Sequence, residues 1–282
     1  MSFVATARGL VELTRPVNAV AAGVLTFVGA FVAGGAVAAP VLAGVAVLAT
    51  AFATGAGNAI NDYFDRDIDA INAPGRPIPR GAVAPRLALG FSVVLFLVAV
   101  VLVVTQLPLL AMTIAFVNLF ALVAYTELFK GLPGVGNALV AYLGGSTFLF
   151  GGAAVGSLGA PAAVLAALAA LSTLAREIVK DVEDVAGDRE EGLNTLPIAV
   201  GERPSLVVAA VLLALAALAS PVPYLLGALS WPYLVLVVPA DAVMVYATYR
   251  AFDDPAAGQS VLKYGMFLAA AAFVVGRVAA LV

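Results

Sequence analysis

Two stretches of this chain concentrate the side chains that could do chemistry: NAINDYFDRDIDA at residues 58–70 and REIVKDVEDVAGD at residues 176–188. Asp62, Asp65 and Asp69 are spaced +3 and +4, and Asp181, Asp184 and Asp188 repeat that spacing. At about 100° per residue, each trio falls within roughly 60° of a helix circumference. Asn58 and Asn61 share the first face, whereas Asp67 and Glu183 point elsewhere. Three like charges in a row repel one another, and partial desolvation at a membrane helix end raises the cost. Hard cations bound through oxygen compensate such a row. Magnesium in particular takes one or two carboxylates and fills its remaining sites with water and substrate phosphates. One such cluster alone reads as a hydrated, Asp-capped helix end; the repeated spacing argues for a pair of metal platforms.

Cations stand beside the acids. Arg76 and Arg80 follow the first cluster in APGRPIPRG, Arg176 and Lys180 begin the second, Arg15 opens an apolar segment and Lys130 closes another in YTELFKG. Each could be a simple ion pair or a membrane anchor. Together with metals they form a pocket for two phosphorylated groups. The chain has no Cys and no His. Thiol nucleophiles, imidazole bases, disulfides and Cys-based zinc sites are thereby excluded.

The elements that position these groups are membrane helices. Of 282 residues, 63% are hydrophobic and only 11% charged, against about 25% in a soluble domain. Mean hydropathy is +1.09. With 14 basic and 17 acidic residues, no nucleic-acid partner is expected; membrane lipid is. Residues 16–61, 87–126, 131–175 and 204–240 contain no Asp, Glu, Lys or Arg, in runs of 46, 40, 45 and 37 residues. A spanning helix needs about 20, so each run fits two crossings joined by a turn, and residues 260–281 add one more. The expected fold is all-α: a polytopic bundle of about nine transmembrane helices, near 16–37, 42–61, 86–105, 109–127, 135–155, 161–185, 205–226, 231–250 and 260–281, in one domain over residues 1–282. The ten-residue alternation of a β-barrel is absent, and the first residues lack the pattern of a secretory signal peptide. Double crossings put the N-terminus and both Asp clusters on one face. Every basic residue except Arg277 falls on or beside that face, which makes it cytoplasmic and the protein a multi-pass cell-membrane protein by the positive-inside rule. The clusters end the second and sixth helices, suggesting an internal repeat of four helices.

At these residues the chain resembles the UbiA superfamily of intramembrane prenyltransferases. The family motif NDxxDxxxD is matched by Asn61, Asp62, Asp65 and Asp69. It is followed by INAPGRPIPRG, where Arg80 stands in the place of a usual Ser. DVEDVAGD with NTLPIAVG at 194–201 resembles the second motif, Tyr125 and Lys130 match a Tyr and Lys pair, and TRPVN at 14–18 matches the opening, bringing in Asn18. The second region is most similar to the archaeal ether-lipid branch, which joins geranylgeranyl diphosphate to geranylgeranylglyceryl phosphate.

The resemblance implies a Mg2+-dependent transfer from an isoprenyl diphosphate donor to a lipid-phosphate acceptor. Asn61, Asp65 and Asp69 would hold one magnesium, and Asp184 and Asp188 a second, with Asp62, Asp181 and Asn58 assisting. Arg76, Lys130 and Lys180 would neutralise the diphosphate, and Arg15, Asn18, Asn58, Tyr125 and Arg176 complete the substrate pocket. Tyr63, Tyr125 and Tyr142 are aromatic candidates to face a developing allylic cation. No general base is evident. Two other readings fit the sequence: a related enzyme with an aromatic or chlorophyllide acceptor, and a transporter, although a carrier site belongs near the midplane.

Overall fold

A computed structural model describes residues 3–129 and 131–282, the side chains at positions 72, 126 and 127 excepted, and Lys130 therefore lies outside the described residues. The described residues form helices and turns only, in the order α1 (Phe3–Leu13), α2 (Pro16–Val32), α3 (Pro40–Phe64), α4 (Arg66–Asn72), α5 (Pro85–Gln106), α6 (Leu109–Ala124), a π-helical turn (Tyr125–Phe129), α7 (Val135–Ala154), α8 (Ala160–Glu190), α9 (Leu196–Val200), α10 (Glu202–Ala219), α11 (Val222–Leu225), α12 (Pro232–Ala251) and α13 (Pro255–Ala279). Lipid offers no hydrogen-bond partners, so the backbone must satisfy itself, and helices do that within one segment. Proline opens many of them, including α2, α3, α5, α12 and α13; there its fixed φ suits the first turn and its missing N–H costs nothing.

Each of the nine predicted segments overlaps a helix, but nine crossings are not reached by helix length and composition. Among the described residues, six are long and apolar enough to cross a membrane: α3, α5, α8, α10 with α11, α12 and α13. The bent pair α1–α2, at 44°, makes up to seven. α6, with 16 residues, is shorter. α7 falls outside that set, with Asn137, Ser146, Thr147 and five glycines diluting it. The boundaries also shift. α8 runs on to Glu190 rather than ending near 185, and α13 starts at Pro255, where Asp254 caps it by accepting the Ala257 N–H at 3.0 Å.

Two four-helix rings emerge from the packing. α3, α5, α6 and α7 form one, and α8, α10, α12 and α13 the other; α2 joins them, touching α3, α7, α8 and α13. α2 and α7 meet backbone to backbone. A Cβ at Gly29 would collide with the Phe148 backbone, and one at Gly151 with Thr26 O. Such small-residue contacts replace the hydrophobic drive that lipid removes. Leu109, Phe120 and Leu218, each more than three-quarters exposed, turn outward as lipid-facing side chains should.

Candidate active site

The first Asp row is split by a joint. α3 ends at Phe64, Asp65 leaves helical geometry at φ −82, ψ 3, and α4 starts at Arg66. Helical hydrogen bonding nevertheless continues across it, Asp65 N to Asn61 O and Asp69 N to Asp65 O, both 2.8 Å. Asp62 and Asp69 are buried, and cations compensate them. Arg15 donates to Asp62 Oδ1 at 2.6 Å; Arg76 reaches Asp69 Oδ2 at 2.5 Å and stands 3.5 Å from Asp62. Arg15 does this from a left-handed backbone, φ 46, ψ 70, immediately before Pro16. A non-glycine residue there is strained; the strain turns α1 away from α2 and places the guanidinium over Asp62. Asn58 donates to Thr14 O at 2.9 Å, tying the row to the α1–α2 corner. Asn18 is exposed in the first turn of α2. Asp67 and Glu183 are exposed, as expected.

The second row stays on one continuous helix. Asp181 accepts from Asn137 Nδ2 at 2.8 Å, Asp188 from Thr195 Oγ1 at 3.1 Å, and Asp184 lies 3.5 Å from Lys180 Nζ. Arg176 donates to Glu177 Oε1 at 2.5 Å. Tyr125, on the π-helical turn, is within electrostatic reach of Glu177, Lys180, Asp181 and Asp188. The extra residue of a π turn re-aims a side chain, a common device at functional sites. Sequence reasoning missed Asn137, Thr195 and Glu177. Thr195 lies inside the quoted NTLPIAVG stretch, and Glu177 lies four residues before Asp181, as Asn58 lies four before Asp62; Asn137 carried no signal.

Both rows sit at the same end of the bundle, and the 73–84 segment covers the first. Backbone hydrogen bonds fold it into consecutive turns. Ala82 N and Val83 N bond Pro77 O at 2.9 and 3.1 Å, and Val83 packs on Gly9 of α1. Arg80 reaches Glu12 at 2.5 Å, so it serves the lid's attachment to α1. Tyr63 packs with Leu13, Ala59 and Val83 under that lid and stacks against Arg66, which assigns it to the core.

Oxygen donors dominate this end, which suits a hard cation. Among the described residues no three carboxylates converge closely enough to cage an ion by themselves. That fits magnesium held by one or two carboxylates per row, with phosphate oxygens and water completing its sphere.

Below the first row, the ring of α3, α5, α6 and α7 encloses an apolar cavity of about 300 Å³, with Asn58 and Asn61 among its lining and Ala49, Val103 and Phe150 deeper in. Asn118 also lines it, with a buried Oδ1 that has no hydrogen-bond partner.

A carboxylate-rich, cation-flanked mouth over an apolar cavity suits a membrane protein that handles a phosphorylated lipid. Comparison with known proteins sharpens this class. Residues 22–271 match the UbiA prenyltransferase family, and the chain belongs to that family. It is 67% identical to the digeranylgeranylglyceryl phosphate synthase of Natronomonas pharaonis, over 96% of this chain and 98% of that one. A solved structure described as digeranylgeranylglyceryl phosphate synthase superposes with a TM-score of 0.81 at 34% identity, covering 97% of this chain and 99% of the other. A UbiA homolog from Archaeoglobus fulgidus, bound to GPP and Mg2+, shares the fold with a TM-score of 0.67 at 16% identity, covering 97% and 100%.

Proposed function

We propose that this multi-pass membrane prenyltransferase transfers the geranylgeranyl group of geranylgeranyl diphosphate to the free hydroxyl of geranylgeranylglyceryl phosphate, with Mg2+, in archaeal ether-lipid synthesis. The observation that carries the acceptor is the 67% identity over 96% of the chain to a synthase of that name. The geometry supports the donor: a carboxylate mouth for the head and the apolar cavity beneath it for the tail.

Asn61, Asp65 and Asp69 in one row, and Asp184 and Asp188 in the other, are the residues suited to holding magnesium. Magnesium, when bound, offsets the negative charge that builds on the leaving diphosphate. Arg76, Lys180 and Lys130 bind phosphate oxygens directly, and Arg15 and Asn137 keep Asp62 and Asp181 in place. Stabilisation of the leaving group by fixed charge is the principal term. Arg176, Asn58, Tyr125 and Asn18 complete the substrate pocket. The bias of basic residues supports a cytoplasmic position for this mouth and the N-terminus, in the cell membrane.

The test uses purified protein, magnesium and labelled geranylgeranyl diphosphate with three acceptors: geranylgeranylglyceryl phosphate, a hydroxybenzoate and a chlorophyllide. Product from the first alone is expected. Product only from another acceptor, or none with any, overturns the assignment.

A further inference from the structure

The Asp rows correspond residue for residue, and the correspondence extends one turn deeper than the carboxylates assigned so far. Asn58, Asp62, Asp65 and Asp69 are spaced +4, +3, +4, as are Glu177, Asp181, Asp184 and Asp188. Glu177 thus occupies on α8 the place that Asn58 occupies on α3. The two are used differently. Asn58 is committed to Thr14 O, whereas Glu177 holds an ionisable carboxylate on the stripe of the metal-site aspartates.

Depth gives Glu177 its meaning. It lies one turn, about 6 Å, further into the bilayer than Asp181, with a side chain only 15% exposed. With a diphosphate head at the two rows and its chain running into the cavity, C1 of the prenyl group lies just below the phosphates, at the level of this turn. Lys180 and Asp181 follow it at +3 and +4 on α8 and so share its face of the helix, and Tyr125 lies near it. Arg176 holds one oxygen, Oε1, at 2.5 Å. A charged side chain at this depth is expensive, and the mechanism above leaves it without a task.

We infer that Glu177 accepts the proton of the acceptor hydroxyl, with Arg176 as its positioning residue. This rests on the prenyl-transfer reading. The hydroxyl oxygen bonds to C1 as the bond from C1 to the diphosphate oxygen breaks. The electron pair of that bond leaves with the diphosphate. The hydroxyl proton passes to the Glu177 carboxylate and from there to water.

The experiment compares wild type with Glu177→Gln and Glu177→Asp. Each is assayed for ether formation with geranylgeranyl diphosphate and geranylgeranylglyceryl phosphate. Each is also titrated, with magnesium, with the unreactive thiolo analogue of the donor. Glu177→Gln is expected to lower kcat about 100-fold, the usual scale for a lost general base, with the donor KM and analogue affinity unchanged. Glu177→Asp, which keeps a carboxylate, is expected to recover at least a tenth of wild-type kcat and serves if the Gln variant does not fold. The inference is overturned if Glu177→Gln retains kcat within about threefold, or if its loss of activity tracks a loss of analogue binding; for Glu177→Asp, loss of analogue binding overturns it likewise. Failure of wild type itself to make the ether refutes the prenyl-transfer assignment instead, and is read in a separate arm.

Discussion

The two four-helix rings have the same order of helices and the same Asp spacing at the end of the first helix of each, yet one is hollow and the other filled. Between α3, α5, α6 and α7 lies the 300 Å³ cavity, lined largely by small and apolar residues. Between α8, α10, α12 and α13 the corresponding space is occupied. Ile178, Val179, Leu213, Met244 and Leu262 close its upper part, and Leu165, Tyr233, Val237 and Phe273 its lower part. On the proposed function, the phosphate end draws on both halves and the tail on one. Buried polar atoms without a partner occur in both rings, Arg176 Nε and Gln259 Oε1 lying on helices of the filled one. In the hollow ring Asn118 has a buried oxygen with no partner, open to a ligand. In the filled ring Ser220 donates to Asp241 at 2.6 Å and Tyr233 donates to Ser220 O at 2.6 Å, so these groups satisfy each other.

The largest expected effect tests what the rings share. Asp65→Ala and Asp184→Ala are each expected to lower prenyl transfer by at least about 100-fold in folded protein, since each removes an oxygen donor for charge stabilisation. Near-wild-type turnover from either variant would break the equivalence of the two rows. The next effect tests what they do not share. Ala99 lines the cavity and Ala209 is fully buried in the filled ring. Ala99→Phe is expected to leave the fold intact and shift preference from geranylgeranyl toward geranyl diphosphate, read as a change in the ratio of kcat/KM. Ala209→Phe overpacks a filled core and is expected to cost about 1–3 kcal/mol, read as a lowered thermal midpoint. The smallest effect is expected from Asp241→Asn. Asn still accepts from Ser220, so the stability change is about 1 kcal/mol or less, with unchanged turnover; a large loss of turnover would give the filled ring a catalytic share.

The helices and the stripes were legible because both depend on local periodicity: charge-free runs mark the crossings, and the +3, +4 spacing marks a face. Contacts between distant segments were not. Nothing in the residues around Asn137 announces that it holds Asp181 across 44 positions. The division of the first Asp row between α3 and α4 was hidden because hydrogen bonding persists through the joint at Asp65. The hollow and filled rings were equally opaque. Both are rich in Ala, Val and Leu, and only packing decides whether those side chains meet or leave room. Tyr63 illustrates the same point. As an aromatic it was a candidate to face the allylic cation, with a core place the commoner alternative, and it packs in the core under the lid.

The lid's attachment has a consequence for the medium in which the protein can work. Two kinds of contact fasten the 73–84 segment to α1: the Arg80–Glu12 ion pair, whose side chains are 38% and 33% exposed, and the packing of Val83 on Gly9. At about 1 M salt the Debye length falls to about 3 Å, and half-exposed pairs lose much of their attraction. Apolar burial is not screened in this way, and salting-out ions strengthen it. In concentrated brine the roof over the reacting groups therefore rests on the valine–glycine contact more than on the arginine.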